Sequence, residues 1–332
     1  MQKWEQIQGV YIHTPFCLQK CLYCDFASYA GADTETMEKY VDAVCSEIMM
    51  RSNEVTIADQ ATLYFGGGTP SLLSEKLLAK LVEALQKNGC WLQPAEATIE
   101  VNPGTADLDK LRFFKDLGFD RISFGVQTFD DKALTLLHRS HNGEQAKQAV
   151  YDAKEAGFTD INIDLIYGLP RQTLEDIQHN LDIVKDLPIN HISTYGLQVE
   201  VGTYLYHLVQ KNLISIPSET IDESMYDTMM EGLKDLGFER YEISNFAKAN
   251  SYSRHNLKYW HYIDYLGFGA GAHSFYDGVR RSNNRNVMPY IQSVDRYIMP
   301  TIDTETITLE RAQEDFCFLA LRTKWGLDER KF

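Results

Sequence analysis

The chain has 332 residues, 44% of them hydrophobic, enough to bury a large core, so one large α/β domain with a smaller appendage is expected and a disordered chain is excluded. Its formal charge of −15 and pI near 5.0 oppose binding to a phosphate backbone, which calls for clustered Lys and Arg, and nucleic acid is set aside as a partner. No run approaches the roughly 20 consecutive apolar residues of a membrane span, and Met1 to Gly9 is polar with no signal-peptide core; a soluble, cytoplasmic chain is expected.

Runs rich in β-branched and aromatic residues recur at Val10 to Ile12, Thr62 to Phe65, Thr98 to Val101, Ile122 to Val126, Ile161 to Ile166 and His191 to Leu197, and each reads as a buried strand. Helical spacing fills most of the gaps. In Ser74 to Asn88, for example, Leu77, Leu78, Leu81, Val82 and Leu85 share one face, with Ser74 as N-cap and Gly89 as C-terminal cap. The junctions Leu117-Gly118-Phe119, Ala156-Gly157-Phe158 and Leu236-Gly237-Phe238 each close a helical pattern and lead into a strand, at separations of 39 and 80 residues. These spacings fit one and two βα units of parallel strands joined by helical crossovers. Six such strands predict an open, partial (β/α)6 barrel over residues 1–200, with chemistry at the C-terminal strand ends. Beyond residue 200 the rhythm weakens, and a smaller α+β region with a helix over Ser218 to Leu236 is expected for 201–332. The closing text Trp325-Gly326-Leu327-Asp328 reads as the opening of another element, so a further C-terminal piece is expected.

Cys17, Cys21 and Cys24 stand in a C-x₃-C-x₂-C spacing straight after the first strand, whereas Cys45, Cys90 and Cys317 are scattered. Three thiolates on one loop hold three corners of a [4Fe–4S] cubane and leave one iron for an outside ligand. The alternative is structural zinc with His13, Cys45 or Cys90 as fourth ligand, against which the spacing argues. Gly66-Gly67-Gly68-Thr69-Pro70 comes after the second strand and suits close backbone approach to a ligand or, alternatively, a plain Gly-Pro turn. Glu100, Gln127 and Asp164 sit in or at the ends of later strands. A carboxylate within the apolar run of Asp164 calls for a partner, either a ligand or a core salt bridge.

The cysteine spacing, with Tyr23 before the third cysteine, resembles the radical SAM superfamily. The runs Tyr11 to Cys17, Gly66 to Pro70, Ile99 to Pro103, Phe124 to Phe129 and Asn162 to Pro170 resemble, in the same order, the oxygen-independent coproporphyrinogen III oxidase family and its haem-chaperone branch. That resemblance implies a cluster on Cys17, Cys21 and Cys24. It implies S-adenosylmethionine contacts from Tyr11, Tyr23, Gly67, Gly68, Thr69, Glu100, Gln127, Arg139 and Asp164, with Gln198 as a more variable contact. Arg139 suits a carboxylate.

Two features separate the branches. The oxidases carry a fourth cysteine two residues after the third, where this chain has Phe26, and His255-Asn256-Leu257-Lys258-Tyr259-Trp260 is similar to the HNxxYW haem-binding motif of the chaperones. His255 offers an imidazole to iron, and Tyr259 and Trp260 offer flat apolar surface to a porphyrin; Asn256 belongs to the same haem-binding set, and His261 is a second candidate ligand. Read without the resemblance, the segment is a surface His beside core aromatics. Gly267 to His273 formally fits a dinucleotide motif but opens no βαβ unit, and is expected to be a tight turn. The implied function is a haem carrier that passes haem to an acceptor protein, with an electron donor for the cluster. The competing reading is oxidative decarboxylation of coproporphyrinogen III through a 5′-deoxyadenosyl radical.

Overall fold

The computed structural model describes residues 6–89 and 94–329, so Cys90 lies outside the described residues. All six expected strands form, as β1 (Ile7–Thr14), β2 (Ile57–Gly67), β3 (Ala97–Val101), β4 (Arg121–Gln127), β5 (Asp160–Tyr167) and β6 (His191–Gly196). They pair in parallel, in chain order, from β1 to β6. The connecting helices are α1 (Thr34–Arg51), α2 (Glu75–Lys87), α3 (Leu108–Asp116), α4 (Asp131–Leu136), α5 (Gly143–Glu155) and α6 (Leu174–Asp186). Their apolar stripes and one face of the sheet make a single large core. This α/β architecture is the expected parallel partial barrel.

Local sequence accounts for these elements closely. Ser74 caps α2 by accepting from the Leu77 amide, the five expected apolar residues are all buried, and Gly89 takes φ +78°. Gly118, Gly157 and Gly237 end their helices at φ +101°, +95° and +82°. The amides of Phe119, Phe158 and Phe238 then donate back to Phe114, Ala153 and Leu233, while their rings enter the core. The third junction opens no parallel unit. It leads from α8 (Glu219–Asp235), preceded by α7 (Tyr204–Gln210), into the two-residue edge strand β7 (Glu239–Arg240), which pairs antiparallel with β8 (Asn245–Ala247).

After residue 200 the chain extends the same sheet at both edges. β8 pairs antiparallel with β6. At the far edge, past helix α9 (Arg254–Trp260), strand β9 (Tyr265–Phe268) lies parallel to β1, followed antiparallel by β10 (His273–Tyr276), β11 (Val279–Asn283) and β12 (Thr301–Thr306). The sheet therefore has twelve strands, in the order β12-β11-β10-β9-β1-β2-β3-β4-β5-β6-β8-β7.

The parallel strands alternate strictly. Val10, Ile12, Leu63, Phe65, Ile99, Ile122, Phe124, Ile161, Ile163 and Ile192 pack under the helices. Their sequence neighbours Tyr11, Tyr64, Glu100, Ser123, Asn162, Asp164 and Ser193 face the other way, with Tyr11 stacked on Tyr64, Tyr64 bonded to Glu100, and Asn162 bonded to Ser123, Asp164 and Ser193. The barrel interior is thus polar, and the runs are buried on one face by hydrocarbon and on the other by hydrogen bonds. No described helix is long and apolar enough to cross a membrane.

The core offers a direct test. Phe119 is fully buried, edge-on to Phe65 with centroids 5.2 Å apart. Truncating it leaves a cavity the rigid sheet cannot close, so Phe119→Ala is expected to lower unfolding free energy by about 3–5 kcal/mol in chemical denaturation.

Candidate functional site

The cysteine loop leaves β1 at its C-terminal end. It is pinned by the Gly68 amide, which donates to the Thr14 carbonyl at 2.7 Å, and by a short parallel pairing of Phe16 and Cys17 with Tyr29 and Ala30. This approach explains the glycines. A Cβ at Gly68 would lie 2.7 Å from Pro15 C and Phe16 O, and one at Gly67, which sits at φ +110°, would lie 2.5 Å from the His13 ring. The Gly66 to Pro70 segment is therefore a backbone shelf under the cysteine loop rather than a plain turn.

Cys17, Cys21 and Cys24 are free and half-buried on this loop. Burial pushes the Cys17 thiol up to about 11, opposed by the Thr69 hydroxyl, which donates to Sγ at 3.9 Å. Arg139 Nη1 donates to Cys21 Sγ at 3.4 Å, and burial pushes the Cys24 thiol up, opposed in part by the Phe26 amide. Donors aimed at three sulfurs on one loop suit three thiolates. Among the described residues the zinc reading lacks a fourth ligand, Cys90 lying outside them: His13 lies 3.0 Å from the Tyr11 hydroxyl through Nδ1 and 3.0 Å from the Ala27 carbonyl through Nε2. Cys45 sits on α1 with its thiol toward the Lys80 carbonyl.

Around the shelf the strand ends converge. Glu100 accepts from the Tyr64 hydroxyl at 2.7 Å and from the Gly67 amide at 3.0 Å, and burial, with Asp164 adding to it, pushes its carboxyl up to about 7. Arg139 donates through Nη2 to Asn102 Oδ1 at 2.6 Å and to the Gly125 carbonyl, while its Nε is buried with no partner among the described residues. Asn102 donates in turn to Thr69 at 2.8 Å, so one amide ties the shelf to the guanidinium. Burial also pushes up the carboxyl of Asp164, which accepts from Asn162 at 2.8 Å, and Tyr23 is raised by burial while Arg139 pulls it down. Gln127 takes φ +69° at an irregularity that shifts the β4–β5 register. A β-bulge there re-aims its side chain, and such strain is characteristic of functional strand ends. Gln198 is exposed beyond β6.

Tyr11 stacks on Tyr64 with centroids 6.0 Å apart, and Tyr64 packs on His255 at 5.1 Å. The second motif therefore meets the first from inside the barrel. α9 packs against β1 and β2, its first amides held by the buried Glu96 carboxylate, which accepts from Arg254 and His255. His255 is 1% exposed; Nδ1 lies 2.9 Å from the Thr62 hydroxyl and Nε2 2.8 Å from that of Tyr259. Both ring nitrogens are thus engaged inside the protein, and the surface-histidine alternative does not hold. Burial, reinforced by the Lys258 charge, lowers His255 to about 3. Of the motif, Tyr259 lines a cleft beside the cysteine loop, whereas Asn256 and Trp260 are half-buried on α9 away from it. His261 is edge-on to Trp325. Gly267 to His273 forms the β9–β10 hairpin, with Gly269 and Gly271 at positive φ.

Sequence reading missed Asn102, Tyr64 and the network at Asn162, where Ser123, Asp164, Ser193 and His191 all bond to one amide. The available signal was the period of two: each polar residue alternates with an apolar one in a run that reads as continuous core.

Residues 11–184 match the family model described as the Radical SAM superfamily. The chain is 37% identical over 330 residues to the haem chaperone HemW of Bacillus subtilis, covering 98% of this chain and 86% of that protein. It is 34% identical to HemW of Lactococcus lactis, with 98% and 84% covered, and 30% identical to HemW of Mycobacterium tuberculosis, with 96% and 82% covered. Among solved structures, the Escherichia coli coproporphyrinogen III oxidase HemN, a radical SAM enzyme, superimposes with TM-score 0.87 at 25% identity, over 99% of this chain and 79% of that one.

The geometry yields two expectations. Gly68→Ala places its new carbon against loop backbone, which has no flexible end to move, so it is expected to abolish cluster incorporation, read as iron and sulfide content, while the circular dichroism spectrum is retained. His255 is held neutral in the fold, so stability is full above the unfolded value near 6.5 and falls as pH drops from there towards about 3, by at most about 1.4 kcal/mol per pH unit from this group. His255→Gln is therefore expected to flatten the pH dependence of the denaturation midpoint across that window.

Proposed function

This chain belongs to the radical SAM superfamily and, within it, to the HemW family of haem chaperones, and from that membership we propose that it binds haem and hands it to an acceptor protein, with a [4Fe–4S] cluster and S-adenosylmethionine as resident cofactors. The observation that carries the reading is the combination of near end-to-end similarity to HemW proteins with a loop of three cysteines followed by Phe26, which is 69% exposed.

Cys17, Cys21 and Cys24 would hold the cluster. When bound, a cluster on three thiolates supplies a single electron and one iron open to an outside ligand. The protein's own work is placement. Arg139 offers a guanidinium fork to a carboxylate, and its unpartnered Nε is a donor still to be used. Gly67, Gly68 and Thr69 present backbone and a hydroxyl at the shelf. Glu100, Gln127 and Asp164 supply polar groups from successive strand ends, and Tyr11 and Tyr23 close the site with aromatic surface. For haem, we assign α9 a framing role: Tyr259 reaches the cleft, and His255 holds the Tyr259 hydroxyl from behind. Asn256 and Trp260 belong to the same haem-binding segment. The acceptor protein, the electron donor and a cytoplasmic setting belong to the same reading, and three free cysteines on one loop are in keeping with that setting.

A second reading, oxygen-independent coproporphyrinogen III oxidation, is favoured by the superposition on HemN. One experiment separates the two. After anaerobic cluster reconstitution, stoichiometric haem binding in an absorbance titration without decarboxylation of coproporphyrinogen is expected. Turnover to protoporphyrinogen would make the chain an oxidase despite Phe26.

A further inference from the structure

A cleft of about 530 Å³ opens between the cysteine loop and the β9–β12 edge of the sheet. That volume lies within the range of pockets for small ligands and cofactors, roughly 300–1,000 Å³. Its floor is aromatic: Tyr11 from β1, Tyr259 from α9 and Tyr265 from β9, the last two in edge contact with centroids 4.6 Å apart. Two largely exposed apolar side chains flank it, Phe26 on the cysteine loop at 69% exposure and Ile302 on β12 at 65%. Leaving such surface bare is unfavourable, and a flat apolar ligand seated between them would remove it from water.

The cleft also carries an imidazole. His273, at the start of β10, lines the cleft, is exposed, and its ring makes no hydrogen bond among the described residues. It contrasts with the two other histidines of this part of the molecule. His255 uses one nitrogen on Thr62 and the other on Tyr259, and His13 uses its pair on Tyr11 and the Ala27 carbonyl. An exposed imidazole is thus set at an aromatic slot, close enough to His13 to act on it electrostatically. The hairpin that carries it is stiffened by Asn283, which donates to the Gly269 carbonyl at 3.0 Å, and by the Gly271 amide, which donates to the Asn284 carbonyl. On the rim stands Arg285, 59% exposed in its side chain and 3.5 Å from the Asp25 carboxylate, a guanidinium that an anionic ligand arm can share.

We propose that this cleft is the haem seat, with His273 as the protein ligand to the iron, the Tyr11, Tyr259 and Tyr265 rings under the macrocycle, and Arg285 taking a propionate. The proposal rests on the carrier reading and adds to it the ligand. It assigns the HNxxYW-like segment a structural part, through Tyr259, and gives the iron to a histidine on the hairpin, next to the loop that carries the cysteines.

The test uses the full chain with its cluster reconstituted anaerobically, titrated with haem and followed by Soret absorbance and electron paramagnetic resonance. His273→Ala is expected to weaken binding by roughly tenfold or more and to change the iron's ligand-field signature, and added imidazole is expected to restore the parent spectrum. Arg285→Ala is expected to weaken binding severalfold with the spectrum unchanged. Haem that binds the parent chain and His273→Ala with the same affinity and spectrum overturns this site and leaves the carrier reading standing. Loss of binding in His273→Ala that imidazole does not restore counts against ligation by this ring. Haem that does not bind the parent chain overturns both readings together.

Discussion

The site depends on one backbone-to-backbone approach. The Gly68 amide meets the Thr14 carbonyl at 2.7 Å, and no side chain fits between the end of β2 and the start of the cysteine loop. Because the hydrogen bond closes the loop against the shelf, the three cysteines stand on a fixed frame, within reach of Thr69 and Arg139. Parallel pairing of β1 with β2 sets the heights of the two chains, since Thr14 lies in register with Gly67. A glycine run is what permits the approach, and the parallel register is what makes it occur there.

The second constraint is the polar lining of the barrel. Buried polar groups cost several kcal/mol when unpaired, and this interior meets the cost by connection. Asn162 bonds to Ser123, Asp164, Ser193 and His191. The other nitrogen of His191 lies 2.7 Å from the Tyr241 hydroxyl, which also accepts from the Ser253 amide. Ser253 is the N-cap of α9. A continuous set of hydrogen bonds therefore runs from Asp164, at the candidate S-adenosylmethionine site, to the helix that carries His255 and Tyr259. Rigidity at one end supports geometry at the other. Among the described residues Arg139 Nε, at the open site, is one of ten buried side-chain atoms without a hydrogen-bond partner, and Arg121 Nη1, also among them, lies 3.9 Å from the Asp160 carboxylate.

Much of the frame was legible in the sequence. The βα units, the caps of α2 and the left-handed glycines before Phe119, Phe158 and Phe238 arise from local chemistry, in which a helix ends where a glycine can take positive φ and an apolar ring can enter the core. The cysteine spacing and Phe26 were equally plain, because a single loop holds them. The pairing of β9 with β1, which sets Tyr265 beside Gly9, had no local trace. Nor did the bulge at Gln127, since a glutamine in αL conformation looks the same in the text as one in a strand.

The chain's own letters settled what depends on neighbours a few residues apart: strand and helix order, helix termini, the three-thiol loop and the glycine shelf. Tertiary structure alone decided which side of each strand faces hydrocarbon and which faces the polar interior, and which histidine keeps a free nitrogen. In the sequence His255 opens the HNxxYW-like motif, and His273 only closes a glycine-rich turn. One is folded under β1 and β2 with both nitrogens bonded, and the other is set on a hairpin facing a cleft. The difference arises because burial is a property of which distant strands pair, and pairing is a long-range contact that local sequence does not encode.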